Sequence, residues 1–179
     1  TRDKPVRTLE DLAGMKIRVT SKMDVPFLEA LGASPVAQPV NVINQNLTNG
    51  VIDGIVIDSS GIRAFKLNEA GKYLTTWMPP SGAAFVLLMN KDVYDGLPDQ
   101  EKGWVDAASG DWLSEAGGLG FEEATVDGIE LSKSTGVELI DLSDAEKARW
   151  NAAIADAVAE VKTQAAGPMT VGEVMAIMK

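Results

Sequence analysis

Cysteine and histidine are both absent from this 179-residue chain. Their absence removes thiol nucleophiles, Ser–His–Asp machinery, thiolate or imidazole zinc sites and histidine acid–base work. Carboxylates, Lys and Tyr remain, a thin toolkit for an enzyme. Positive charge is scarce as well: 16 Lys and Arg stand against 26 Asp and Glu, for a net charge of −10. Nucleic acid and anionic membrane surfaces need a basic footprint, so neither is expected as a partner. No apolar run approaches the roughly 20 residues that span a bilayer. No D-x-D-x-D-G, G-x-G-x-x-G or Walker A pattern occurs, so no metal and no nucleotide cofactor is expected. The opening TRDKPVRT has no apolar signal-peptide core; on this reading the protein is cytosolic or its natural start lies elsewhere. A chain without cysteine also suits an oxidising compartment, where no thiol is left to misreact.

What is present is an alternation of strand and helix up to about residue 91. RTLEDLAG reads as a short helix opened by Thr8 with Asp11 three residues on, and MKIRV as a strand. DVPFLEALG reads as a helix capped by Asp24 and SPVAQ as a strand. NVINQNLTNG reads as a helix, GIVID as an apolar strand and SSGIRAFKLNEAG as a third helix capped by Ser59 or Ser60. KYLTTW and AFVLLMNK read as strands separated by the turn-rich MPPSGA. The alternation predicts an α/β fold with parallel βαβ units. Residues 97–136 then read as almost entirely helical, with a break or kink at Gly117-Gly118 and Gly120. VELIDL reads as a strand. A long helix follows from a Ser143/Glu146 capping box, with Trp150, Ile154, Ala157, Val158 and Val161 on its apolar face.

Two residue types stand out. Arg18 sits inside the apolar strand Met15–Val19, and a charge there is expensive unless it is paired or solvated. It serves as a structural salt bridge, as an edge-strand arginine, or as a planar fork for an anionic ligand. Trp77 ends a strand just before a Pro-Pro loop, where open α/β sheets place ligands. Trp104 and Trp112 are eight apart on one predicted helix and are expected to pack. The acidic pairs Glu10-Asp11 and Glu122-Glu123 read as solvated surface.

The segments TLEDLAGMKIRV, EALGASPV, LTNGVIDG, AFKLNEAGKYLTT and LLMNKDVYDGLPDQEK occur in this order with short spacers. Together they resemble the solute-binding proteins of tripartite ATP-independent periplasmic (TRAP) transporters, the DctP-like family. The match is densest over residues 5–105; beyond that it rests mainly on pattern.

The resemblance implies a two-lobed periplasmic receptor that captures a small organic acid and hands it to TRAP membrane permease subunits. In such proteins the arginine of the K-x-R-V strand pairs with the ligand carboxylate, which makes Arg18 the expected anchor. Ser21 is in place to donate a hydrogen bond. Asp58, Ser59 and Ser60 are the polar candidates after Asp53-Gly54, and Trp77 is the aromatic one. Ile57 stands where sialic-acid-type members place an Asn, and Val40 where they place an aromatic ring. Both departures point to a different or more apolar carboxylate.

The expected architecture is a periplasmic binding protein-like lobe, βαβ units on a central sheet plus long C-terminal helices. Residues 1–82 would form the ligand-binding second lobe, 83–118 a strand and helix returning to a missing first lobe, and 119–179 the helices and strand completing the second. Such a fragment would expose Phe85, Val86, Leu87 and Leu88 and invite self-association. The competing readings are a small α/β enzyme using Asp53 or Asp58, a protein-interaction module and an extracytoplasmic sensor module.

Overall fold

The computed structural model describes residues 1–79 and 85–177. Its first strand, β1 (Lys16–Val19), is the one predicted from the apolar alternation. A 3-10 turn at Leu9–Leu12 precedes it, where the Asp11 carboxylate accepts from the Thr8 backbone N–H at 3.0 Å. After β1 come α1 (Val25–Ala30), β2 (Ser34–Ala37), α2 (Ile43–Thr48) and β3 (Gly54–Ile55). The three strands are parallel in the order β2-β1-β3, so the helices are crossovers, as the alternation requires.

α1 is not capped by Asp24. The Ser21 hydroxyl accepts from the Met23 N–H in a preceding 3-10 turn, and the Asp24 carboxylate reaches back to the Ser21 N–H. The predicted third helix is two, α3 (Gly61–Ala64) and α4 (Leu67–Ala70). Lys66 divides them in the left-handed region at φ 52°, and Asn44 Nδ2 donates to the Phe65 and Lys66 carbonyls that the break frees. Neither Ser59 nor Ser60 caps α3; instead Asp58 accepts from the Ser60 N–H at 2.8 Å.

β4 (Tyr73–Thr75) pairs, again parallel, with a strand far along the chain rather than with β3. The expected single central sheet is therefore two, and residues 1–6 bridge them. Arg2 N–H donates to the Asp53 carbonyl on one side, and Lys72 and Tyr73 N–H donate to the Thr1 carbonyl on the other. Most of the predicted turn over residues 78–83 lies outside the described residues. The strand predicted at 84–91 does not form over its described part. Phe85–Asn90 carry no regular structure and no partner strand among the described residues, and Leu87 and Leu88 are each 83% exposed.

α5 (Lys91–Asp95), α6 (Asp99–Ala107) and α7 (Asp111–Ser134) follow. α7 runs unbroken through Gly117-Gly118 and Gly120, against expectation. The interruption falls earlier, at Gly110, whose φ of 72° a side chain would oppose. Trp104 and Trp112 consequently lie on different helices and are 63% and 62% exposed instead of packed.

β5 (Glu138–Ile140) pairs with β4. The predicted long helix is α8 (Asp144–Ala153) and α9 (Ala155–Thr163), interrupted at Ile154. The Ser143 hydroxyl accepts from the Glu146 N–H, but the Glu146 carboxylate bonds the Leu9 N–H at 3.0 Å rather than closing the box. A short hairpin of β6 (Ala165–Ala166) and β7 (Met169–Thr170) leads into α10 (Val171–Ile177).

The main core gathers Leu12, Ile17, Val19, Leu28, Ile140 and Trp150 with their neighbours, and the helical face read from the sequence contributes Trp150, Ile154 and Val158 to it. Trp150 is 1% exposed and meets Trp77 edge-to-face, ring centroids 6.3 Å apart. Burying each large apolar side chain here contributes about 1.5–3 kcal/mol.

Candidate anion-binding site

Parallel strands of an α/β sheet deliver their following loops to one edge, and ligands bind beyond the carboxyl ends of the strands. Five of the six expected site residues lie at or beyond the carboxyl ends of β1, β2 and β3, and the sixth, Trp77, follows β4 of the second sheet. Arg18 is the third residue of β1, and Ser21 is two residues past its end. Val40 follows β2, Asp58 and Ser59 follow β3, and Trp77 follows β4.

Arg18 is 3% exposed. Its Nε and Nη2 both donate to the Gln38 carbonyl at 3.1 Å, and Nη1 donates to Thr20 Oγ1 at 3.0 Å. A guanidinium has five N–H donors. Three are used, which leaves one on each terminal nitrogen without an acceptor among the described residues. No carboxylate lies within ion-pair distance of Arg18 among those residues. Burial pulls its pKa below the usual arginine value, and the more distant Asp24 charge opposes that. Among the described residues the purely structural ion pair that the sequence allowed is thus not made, and β1 is the central strand of its sheet, so Arg18 is not an edge-strand arginine.

The other candidates are placed differently. Ser21 is exposed, with its hydroxyl occupied by the Met23 N–H. Val40 is exposed at the head of a 3-10 turn. Asp58 accepts from the Ser60 N–H and, at 3.3 Å, from the Thr125 hydroxyl on α7. Burial pushes the Asp58 carboxyl up, but the Ser60 and Thr125 bonds outweigh it and hold it below the ordinary range. Ser59 and Trp77 share the wall of an open cavity of about 120 Å³ with Ile17, Val56, Ile57 and Trp150. Arg18 is not among the residues lining it, because Ile17 and Arg18 alternate across the strand. The structure therefore brings Ser59 and Trp77 together, and places Arg18 with residues the sequence did not single out.

Those residues are Thr20, Gln38 and Val56. Thr20 Oγ1 accepts from Arg18 and donates to the Val56 carbonyl at 3.1 Å. Gln38 is steadied by Asn46 Nδ2, which donates to its side-chain oxygen at 2.8 Å. The available signals were weak: Thr20 lies two residues after Arg18, on the same side of an extended chain, and Gln38 closes the SPVAQ strand.

The two carboxylates considered for acid–base work do not converge. Asp53 precedes β3 and accepts from the Lys16 N–H at 2.8 Å, whereas Asp58 follows β3. Among the described residues, no group of three or more acidic side chains is arranged to hold a metal ion, and no helix is long and apolar enough to cross a membrane.

Comparison with known proteins bears on what such an edge holds. The family model for bacterial extracellular solute-binding protein, family 7 (DctP), matches residues 1–164. The C4-dicarboxylate-binding periplasmic protein DctP of Rhodobacter capsulatus is 28% identical over 148 residues, which cover 82% of this chain and 44% of that protein. A crystal structure of a marine metagenome TRAP solute binding protein specific for aromatic acid ligands superposes with a TM-score of 0.79 at 32% identity. The match covers 90% of this chain and 53% of that one. A TRAP solute binding protein from Rhodoferax ferrireducens, in complex with copurified benzoate, superposes with a TM-score of 0.81 at 28% identity, covering 90% of this chain and 52% of that one. The chain spans about half the length of the curated relatives it matches. With 164 matched residues, its parallel βαβ order and an edge that presents a buried arginine, the chain belongs to the DctP family of bacterial extracellular solute-binding proteins.

Proposed function

We propose that this chain is the carboxylate-anchoring part of a periplasmic receptor that captures a small organic acid and passes it to TRAP permease subunits in the membrane. The observation that carries the reading is Arg18, a buried guanidinium with two N–H donors and no carboxylate to meet them among the described residues. A ligand carboxylate supplies the missing charge in a two-point bond. Ser21, Val40, Asp58, Ser59 and Trp77 are candidate ligand neighbours through their places after the strand ends; Ser59 and Trp77 line a cavity that Arg18 does not. Val40 and Ile57, the two departures from the sialic-acid-type pattern, favour an acid with an apolar body, in keeping with the aromatic acid ligands and the benzoate of the two similar structures.

Residues 1–82 form the ligand-binding second lobe in this proposal, 119–179 complete it, and 83–118 return toward the first lobe. The exposure of Phe85, Val86, Leu87, Leu88, Trp104 and Trp112 supports that division, since so many large apolar side chains left in water on one segment of the chain call for a covering partner. Light scattering of the 179-residue chain at high concentration is expected to give a mass above the monomer; a clean monomer counts against the division.

The receptor reading is tested by NMR titration with benzoate and with its uncharged counterpart benzamide. Saturable shifts at the Arg18 side-chain Nε–H are expected with benzoate alone. No shift with benzoate, or equal shifts with benzamide, overturns the reading.

A further inference from the structure

We infer that Thr20 is a positioning residue for the Arg18 anchor: its hydroxyl fixes the plane of the guanidinium and ties it to the loop that follows β3. The inference rests on the proposal that Arg18 holds a carboxylate.

The plane of a guanidinium swings about the Cδ–Nε bond, while slower half-turns about the partly double Nε–Cζ bond exchange its two terminal nitrogens, and a two-point carboxylate bond forms only when the plane is set. The Gln38 carbonyl takes the Nε and Nη2 hydrogens together, which holds one edge of the fork. An edge held at one oxygen still rocks about that point. Thr20 Oγ1 is the second point, taking one Nη1 hydrogen at 3.0 Å. The hydroxyl is not free to turn away, because its own hydrogen is committed to the Val56 carbonyl at 3.1 Å. Direction in this chain of bonds is therefore settled: Arg18 donates to Thr20, and Thr20 donates to Val56.

The chain joins the ends of all three strands of the sheet. Gln38 follows β2, Arg18 and Thr20 belong to β1 and its exit, and Val56 follows β3, whose ladder continues through Val56 N–H donating to the Arg18 carbonyl at 2.8 Å. Val56 and Ile57 in turn line the cavity that Ser59 and Trp77 share. One hydroxyl thus links the charged anchor to the apolar wall, so a shift of either is felt by the other. Preorganising a site in this way increases affinity by lowering the ordering cost of binding.

The test compares wild type, Thr20→Val and Thr20→Ser. Valine keeps the volume and removes both hydrogen bonds; serine keeps the hydroxyl and drops the methyl. Thr20 is exposed, so all three proteins are expected to fold alike. Nitrogen-15 NMR of the free protein reads the guanidinium directly. Wild type and Thr20→Ser are expected to show separate Nη1 and Nη2 signals, which merge in Thr20→Val as rotation is released. Benzoate affinity, read by the same titration, is expected to fall about tenfold in Thr20→Val and to be restored in Thr20→Ser. Separate Nη signals in Thr20→Val, or a serine variant that behaves like valine, overturns the positioning role. If wild type itself ignores benzoate, the carboxylate-receptor reading fails, and the Nη signals still decide whether Thr20 holds the guanidinium.

Discussion

Gly128→Ala is expected to cost about 3 kcal/mol of folding stability, a fall in Tm of roughly 6–12 °C. A Cβ at Gly128 would stand 2.2 Å from the Ser59 carbonyl oxygen and 3.2 Å from Ile62 Cβ. Neither neighbour is the end of a flexible side chain, so relief requires α7 to move away from α3. That movement is opposed on both sides of the contact. Arg63 and Asp127 form a two-point ion pair, and the Thr125 hydroxyl bonds Asp58. One turn further on, Ser132 is buried and donates to the Gly128 carbonyl at 2.8 Å. Helix propensity acts in the opposite direction, since alanine in a helix interior is favoured over glycine by about 1 kcal/mol. Gly118→Ala on the same helix isolates that effect, because nothing lies within 4 Å of a Cβ there. Gly118→Ala is expected to leave Tm unchanged or raise it slightly. Thermal unfolding of both variants followed by circular dichroism decides the matter. A Gly128→Ala protein as stable as Gly118→Ala would mean that α7 does not approach the Ser59 loop so closely. Because Asp58 and Ser59 are proposed ligand neighbours, the same substitution also displaces that loop.

This contact shows where the sequence was legible and where it was not. Strands and caps follow local rules, so β1, β2 and the Ser143 cap could be read from residue order alone. Gly128 carries no local mark: within the helical pattern it looks no different from Gly117 or Gly118, where a break was expected and none occurs. A glycine breaks a helix only when the backbone takes a conformation that a side chain opposes, as at Gly110; elsewhere it costs propensity and the helix continues. The division at Lys66 was equally hidden, since it depends on Asn44, more than twenty residues away, satisfying the freed carbonyls. The tryptophans divide in the same way. Trp150 lies on an amphipathic face that tertiary packing uses, whereas Trp104 and Trp112 obeyed helical spacing across a boundary that separates them. At the site, Arg18 was visible because a charge inside an apolar strand violates a rule. Thr20 and Gln38 violate none, and their roles exist only once three strand ends lie side by side.

Arg18→Met separates the two functions that a buried arginine can have. If Arg18 existed to hold the lobe together, its loss would unfold the protein. The geometry argues otherwise. Its bonds go to one carbonyl and one hydroxyl, with no counter-ion within ion-pair distance among the described residues, so in the free protein the charge carries an uncompensated desolvation cost. Methionine fills much of the same volume and removes that cost, at the expense of leaving the Gln38 carbonyl without its donor. The two effects are of similar size, each about 1–3 kcal/mol, and Tm is expected to change by only a few degrees in either direction. Binding responds very differently. A ligand carboxylate brought to this edge without Arg18 would be desolvated and unpaired, a loss of about 2–5 kcal/mol, which lowers benzoate affinity by roughly 30-fold or more. A stable variant that no longer binds identifies an anchor held in readiness at the expense of the free protein. A variant that melts far below wild type while still binding benzoate would assign Arg18 to the fold instead. It would also move the carboxylate elsewhere on the edge, with the polar Ser59 loop as the next place to look.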